Sequence, residues 1–431
     1  MNESTTLTDH ILSHIDDSMT AALSGRTPLW ARSCSEMSDV NFIKYGILRC
    51  IGRVNSGRDF LQTASDIHDE AIPLSTYFNS LKSSRRMQML ESIEEGSYTL
   101  HCEMLASHDV NYLEKFPELD SYAVMAADGH FIDHACHTKK DSNGKVFAAG
   151  FIYAMNLRNG LLRPLCCITN GTRRNHEIPV LRNHIEAENE KSKKSVKCLY
   201  VYDKAVTDFR WWNHQKQYQN YMISVLKENS AATLSESIPF EKGSDINVGI
   251  EAYSLHENGD VKFSVVEYRD PETAKLHRFV TTLPMTINPG AIAMLYFKRW
   301  TIEKAFNNSK SDLKEKKAWS SNMNALKNQM RLTAIAYNLM RVFEEVSKRK
   351  DPELIHPSDK KYTVELERRE LEANKLGRFV NRLHFNPRIA RISSRTIQAA
   401  QNAIAAGKTL AWFVAVLAGE LITCVRKNME H

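Results

Sequence analysis

"SYAVMAADGHFIDHAC", residues 121–136, is an apolar run of strand length with a carboxylate, Asp128, set at the end of its most apolar part. "KVFAAGFIYAMNL" (145–157) and "LLRPLCCIT" (161–169) follow, separated by the turn residues "SNGK" (142–145) and "RNG" (158–160). Short apolar runs joined by Asn-Gly read as hairpins, so three antiparallel strands are expected. A helical stretch, "HEIPVLRNHIEAENEKSKK" (176–194), leads to another buried strand, "VKCLYVYDKAV" (196–206). The order strand, strand, strand, helix, strand returns the fourth strand beside the first in a mixed sheet. A helix with Trp211 and Trp212 and a fifth strand, "QNYMISVLKEN" (219–229), come next. Residues 241–285 read as further strands, with Asn258–Gly259 marking a tight hairpin in "IEAYSLHENGDVKFSVVEYRD" (250–270).

The flanks differ in texture. Residues 1–118 read as helical: "MSDVNFIKYGILRCIGRV" (37–54) and "PLSTYFNSLKSSRRMQMLESI" (73–93) both place apolar residues at three- and four-residue spacing. The second ends in Lys82, Arg85 and Arg86 and follows "DFLQTASDIHDE" (59–70), so it suits the second helix of a helix-turn-helix. Beyond residue 346 the chain is helical again after a charged linker, "KRKDPELIHPSDKKYT" (348–363). The expected organisation is an N-terminal helical domain (1–118), an α/β domain (119–345) with a β-rich insertion (241–289), and a C-terminal helical domain (346–431).

With 431 residues, the chain is long enough for several cores, and its 42% apolar and 25% charged residues are those of an ordinary globular protein. The net charge of +6 is mild, but residues 291–350 hold 13 Lys and Arg against 5 Asp and Glu. That local excess points to a polyanionic partner. The eight cysteines (34, 50, 102, 136, 166, 167, 198 and 424) form no CxxC pair, which fits a reducing compartment. The polar, acidic stretch "MNESTTLTDHILSHIDD" has no signal-peptide pattern. The longest apolar run, "TLAWFVAVLAGELITCV" (409–425), contains Glu420 and reads as a buried helix rather than a membrane span. A cytoplasmic protein is expected.

The basic region opens with "YFKRWTIEKAFNNSK" (296–310), placed on a helix by Pro289 and Gly290 just before it. At roughly 100° per residue, Tyr296, Arg299, Glu303 and Lys310 fall within about one sixth of the circumference. Asp128 follows the strand "YAVMAA" and Asp203 the strand "CLYVY", so adjacent strands would bring the two aspartates together at one end. A helix carrying Glu303 supplies a third carboxylate. Three carboxylates in one cleft repel unless a cation neutralises them, and Mg²⁺ prefers hard oxygens. Two such ions about 4 Å apart suit phosphodiester chemistry, with Tyr296, Arg299 and Lys310 on the DNA phosphates.

Tyr-x2-Arg-x3-Glu-x6-Lys at positions 296–310, with Trp300 beside the arginine, resembles the signature of the DDE transposases of the "insertion sequence four" group. The resemblance spans about residues 120–345. It implies an RNase H-like mixed sheet as the catalytic core, flanked by the helical domains, with Asp128, Asp203 and Glu303 holding Mg²⁺ or Mn²⁺, two ions in all. It further implies cut-and-paste transposition: strand nicking at the transposon ends, hairpin formation, hairpin opening and strand transfer. The N-terminal helices would bind the terminal repeats and the C-terminal helices would pair subunits into a homodimer, acting at the bacterial nucleoid. A nuclease that cuts without joining, and a catalytically silent DNA-binding descendant, are the alternatives.

Other residues compete for roles. Asp208 in "YDKAVTDF" rivals Asp203, and Asp133 rivals Asp128. His130, His134 and His137 have zinc-like spacing, although no cysteine pair completes a site. Trp211, Trp212 and Trp300 are candidates for stacking on a flipped base, or else are core.

Overall fold

The computed structural model describes residues 37, 39–52, 56–68, 73–135, 140, 144, 146, 148–168, 177–191, 196–203, 208–227, 230, 232–311, 315–350, 357–381, 392, 397 and 401. The apolar run 409–425, the first 36 residues, Cys136 and His137 lie outside them.

Helices α1 (Asp39–Ile51), α2 (Gly57–His68), α3 (Leu74–Leu81) and α4 (Ser84–Ser107) lead the chain. The single helix expected over 73–93 is two helices. Lys82 caps the end of α3, and the Ser83 hydroxyl accepts the Arg86 N–H at the start of α4. Arg85 and Arg86 are also not a free basic patch. Both grip Asp39 at the start of α1, with Arg86 Nε 2.8 Å from its carboxylate, and Arg86 is buried.

The sheet begins with β1 (Tyr122–Ile132), β2 (Ala149–Asn156) and β3 (Leu162–Ile168), an antiparallel meander. Helix α5 (Glu177–Lys191) crosses over to β4 (Lys197–Val201), which pairs parallel with β1. Helix α6 (Phe209–Gln215) leads to β5 (Asn220–Val225), parallel to β4. The order 3-2-1-4-5 with this mixed direction is the RNase H-like arrangement. Strands β6 (Thr233–Ser237), β7 (Ile250–Asn258), β8 (Val261–Arg269) and β9 (Leu276–Thr281) then extend the same sheet, which runs β3-β2-β1-β4-β5-β9-β8-β7-β6 among the described residues.

The β-rich insertion is thus continuous with the core sheet, through β5 against β9. It also starts earlier than the expected residue 241. All five residues of β6, "TLSES", are exposed, so no apolar alternation announced that strand. In the β7–β8 hairpin, Asn258 pairs with Val261, leaving Gly259 and Asp260 as the turn. Gly259 alone has positive φ (63°), the pattern of a type II′ turn.

Alternation along the strands sorts residues between two cores. Val124 and Ala126 of β1, Leu199 and Val201 of β4, and Ile223 of β5 face one core, where helix α7 (Pro289–Ser311) lies with Ile292, Ile302 and Ala305. Ala127, Tyr202 and Met222 face the other, with Leu181 and Ile185 of α5 and Trp212 of α6. Helix α8 (Met323–Lys350) ties the leading helices to the sheet. Its Asn338 amide bonds both backbone groups of Leu162 in β3 (2.8 and 2.7 Å), and its Asn328 donates to Leu81 O of α3 (2.8 Å). One hydrophobic core therefore runs from Met37 through the sheet to Ile397. Helix α9 (Pro357–Lys375) docks on the β8–β9 turn by a two-pronged contact of Arg369 with Glu272. Among the described residues, no helix is long and apolar enough to cross a membrane.

Candidate active site

The β1–β4 register ends at Ala126 opposite Val201, and Asp128 and Asp203 each lie two residues further on. A period of two returns both to the face of Ala126 and Val201, the face that α7 covers. Asp128 does not close its strand as expected. β1 continues to Ile132 because β2 still pairs with it, Asp128 opposite Tyr153, after β4 has stopped. Asp128 therefore sits where the two parallel strands part, the usual place for a site in such sheets. The Ser224 hydroxyl of β5 donates to the Asp203 carbonyl (3.1 Å), and an Asp128 oxygen accepts the Gly129 N–H (2.9 Å).

Glu303 arrives on α7. The Gly290 N–H at the start of this helix donates to the side chains of Asn288 and Asn247, both at 3.0 Å. A Cβ on Gly290 would stand 2.0 Å from the Ile246 carbonyl oxygen, so only glycine lets the helix start this close to the β6–β7 connection. The insertion thereby fixes the helix that carries the third carboxylate. Further along α7, Phe306 lies against His130 (ring centroids 4.8 Å apart) and Tyr153 (5.8 Å).

Arg299 sits among the carboxylates. Its Nη1 is 2.9 Å from Glu303 Oε1 and 3.6 Å from Asp128 Oδ2. Burial works against its charge, but Tyr296 and the charges of Glu303, Asp128 and Asp203 outweigh that and hold it above the ordinary arginine range. Tyr296 is buried against Phe279 (centroids 4.9 Å apart). Burial raises its phenol, with Arg299 opposing and Asp203 and Glu303 reinforcing. Exposure is uneven: the Arg299 side chain keeps 5%, Asp128 21% and Glu303 50%. Tyr296 and Arg299 are therefore not the open phosphate grip the helix stripe suggested. Lys310, in the last turn of α7, is the member of the stripe's basic pair that is partly exposed.

The rival residues are placed elsewhere or otherwise engaged. Asp208 caps α6, accepting the Trp211 N–H (3.1 Å) and pairing with Arg182 (3.0 Å). Asp133 lies past β1 in a bridge with Lys317. His130 is buried with Nε2 3.0 Å from Glu315 Oε2, while His134 is exposed, so the zinc spacing does not assemble from these two. The buried chain from His130 through Glu315 to Thr333 (2.8 Å), partners far apart in sequence, left no local signal. Trp212 is core, and Trp211 donates to Glu186 (2.8 Å). Trp300 is half exposed and lines a cavity of about 480 Å³ between β5, β9 and α7, with Lys227, Lys275, His277 and Tyr296.

Asp128, Asp203 and Glu303 offer only carboxylate oxygens, the donors Mg²⁺ and Mn²⁺ prefer, and all three reach solvent. They fit such ions chemically. Among the described residues no three His, Cys, Asp or Glu side chains gather closely enough to hold an ion as they stand. Oxygens of Asp128 and Glu303 converge instead on one nitrogen of Arg299.

A mixed sheet of this order thus carries two aspartates where β1 and β4 part and a glutamate on the helix that covers that face. The chain belongs to the family described as "Transposase DDE domain", matched over residues 120–339, a little over half its length. DDE transposases generally use divalent metal ions. "Putative transposase y4zB" of Sinorhizobium fredii (strain NBRC 101917 / NGR234) is 27% identical over 200 residues, 44% of this chain and 55% of that protein. The chain thus spans about half the length of that relative. The cryo-EM structure of the piggyBac transposase synaptic complex with hairpin DNA aligns over 81% of this chain and 77% of that one, at 12% identity and a TM-score of 0.37, too slight a likeness to carry an argument.

Proposed function

We propose that this chain is a DNA transposase whose metal-dependent phosphoryl transfer is carried by Asp128, Asp203 and Glu303. The observation that supports this most is the register. Two aspartates, each two residues past the last β1–β4 pair, share the sheet face covered by the helix bearing Glu303. Two divalent ions, Mg²⁺ or Mn²⁺, would activate the attacking oxygen and stabilise the leaving one. The carboxylates hold the site's negative charge in place, and Lys310 contacts a DNA phosphate along α7.

The reaction sequence we infer is that of the "insertion sequence four" group. Water attacks at the transposon end, the freed 3′-hydroxyl attacks the opposite strand to give a hairpin, the hairpin is opened, and the end is joined to target DNA. The cavity beside Trp300, lined by aromatic and basic groups, suits a base displaced from the stack during hairpin formation. The partners are terminal repeats, target DNA and a second copy of the chain, in the cytoplasm. End recognition falls to the N-terminal helices, through groups other than Arg85 and Arg86, and subunit pairing to the C-terminal helices.

The decisive substitution is Glu303→Gln, which keeps the shape and removes the charge. Cleavage of DNA carrying the element's ends should fall about 10³-fold, some 4 kcal/mol of barrier. Thermal stability should stay nearly constant, since Glu303 is half exposed. Cutting at the wild-type rate would refute the assignment. Cutting without joining by the unaltered chain would favour a nuclease, and binding without cutting a silent descendant.

A further inference from the structure

We infer that Arg299 is the site's resident counter-ion: its guanidinium holds Asp128 and Glu303 until a divalent cation takes them, and then moves to a DNA phosphate. This rests on the transposase reading above and adds an exchange step to it.

The geometry carries the argument. A single nitrogen, Nη1, serves both carboxylates, closely for Glu303 (2.9 Å) and loosely for Asp128 (3.6 Å). Without a cation among them these acids and Asp203 would repel, so a positive charge placed between them lowers the energy of the site before a metal ion arrives. The arginine comes from the buried side and the carboxylates face solvent, so an incoming ion meets oxygens first. The longer Asp128 contact is the one that yields first. Arg299 Nε is also buried with no partner among the described residues, so the guanidinium is not fully satisfied where it lies. Lys310, in the last turn of α7, is partly exposed, so this end of the helix offers a cation to a phosphate beside the site.

An exchange of this kind couples two ligands. A DNA phosphate that draws the guanidinium away tightens divalent-ion binding, and the ion tightens DNA binding by the same factor. A fixed structural ion pair would show no such coupling through Arg299.

The test is Mn²⁺ binding to the full chain at constant ionic strength, counted from the free-ion spectrum in electron paramagnetic resonance, with and without a short duplex. Asp128→Asn identifies the site by abolishing it. Arg299→Gln should bind Mn²⁺ about tenfold more tightly than the unaltered chain in the absence of DNA, because one competing positive charge is gone. Arg299→Lys, whose compact ammonium reaches one carboxylate at a time, should lie between them, and it decides the matter if the glutamine variant does not fold. Added duplex should tighten Mn²⁺ binding in the unaltered chain more than in Arg299→Gln. Equal or weaker Mn²⁺ binding in both variants would overturn the counter-ion role and leave the metal site standing. Absence of any Asp128-dependent Mn²⁺ binding would overturn both.

Discussion

Two arginines in this molecule each hold two acids with one nitrogen, and they differ in which partner meets water. On α8, Arg341 Nη1 is 3.3 Å from Glu344 and 2.9 Å from Glu345, with 1% of the arginine, 2% of Glu344 and 14% of Glu345 exposed. On α7, Arg299 is nearly as deep, but Asp128 keeps 21% and Glu303 50% of their surface. The first cluster is mostly buried, and Arg341 also donates to the Tyr112 hydroxyl. The second has its cation inside and its anions outside. A cluster this deep is suited to holding the fold, since the arginine and Glu344 are almost wholly out of contact with water. An arginine under open carboxylates keeps them in place and leaves them reachable. The same side-chain types at the same i,i+4 spacing thus do different work, decided by the depth of the acids.

The largest expected difference between the clusters is in stability. Arg341→Met leaves two acids without their cation in the interior and should destabilise the fold by about 3–5 kcal/mol, seen as a lower urea midpoint. Replacing Glu344 by leucine in the same chain should recover part of that loss, because an apolar pair replaces an ionic one. Arg299→Gln should cost only about 1 kcal/mol, since Glu303 and Asp128 can be hydrated. If the two arginines cost the same, burial of the acids is not what separates the clusters.

The sequence carried the core of this arrangement and little of its depth. Strands β1 to β5 and the crossover helix were legible because apolar runs broken by Asn-Gly and charged stretches have few other readings. Asp128 and Asp203 stood out as carboxylates after such runs. The stripe of Tyr296, Arg299, Glu303 and Lys310 was legible from helical period alone, but period does not say how close a helix lies to a sheet. The burial of Tyr296 and Arg299 comes from β9 and β1, remote in sequence. The break between α3 and α4 carries neither Gly nor Pro, only the capping Ser83, and so read as one helix. Strand β6 has no apolar face to betray it.

A further acid sharpens the contrast because it is buried with no arginine paired to it among the described residues. Glu94 on α4 lies near Arg163 and Arg331, which pair with Glu95 (3.5 Å) and Glu91 (3.0 Å), and its Oε1 has no partner among the described residues. Burial pushes its carboxyl up to about 7 from an ordinary 4.5, against the pull of Arg163 and Arg331. The fold therefore favours the protonated form. The resulting penalty is absent below about pH 4.5, grows as pH rises to about 7, and is constant above that. Glu94→Gln should remove it, adding roughly 2–3 kcal/mol at pH 8 and almost nothing at pH 4. Thermal melts at the two pH values measure this. An equal gain at both would mean that Glu94 is a packing defect rather than a buried charge.

The smallest expected effect tests the proposed DNA contact of Lys310 against the protein contact of Arg85. Lys310 is partly exposed at the end of α7, whereas Arg85 on α4 is spent on Asp39. Burial would raise the Asp39 carboxyl, but hydrogen bonds and charge from Arg85 and Arg86 hold it below the ordinary value, which marks the contact as a firm one. Lys310→Ala should lower the slope of log K against log salt for DNA binding by about one unit, the release of one counter-ion, and weaken binding less than about tenfold at 0.15 M salt. Arg85→Ala should leave that slope unchanged and lower the melting temperature instead, since its charge already has a protein partner. Titrating labelled end DNA against salt for both variants distinguishes the two roles. The opposite pattern, a shallower slope for Arg85→Ala and none for Lys310→Ala, would move the DNA path from the last turn of α7 to the start of α4. Asp128, Asp203 and Glu303 would then have to be reached from the other side of the sheet's end.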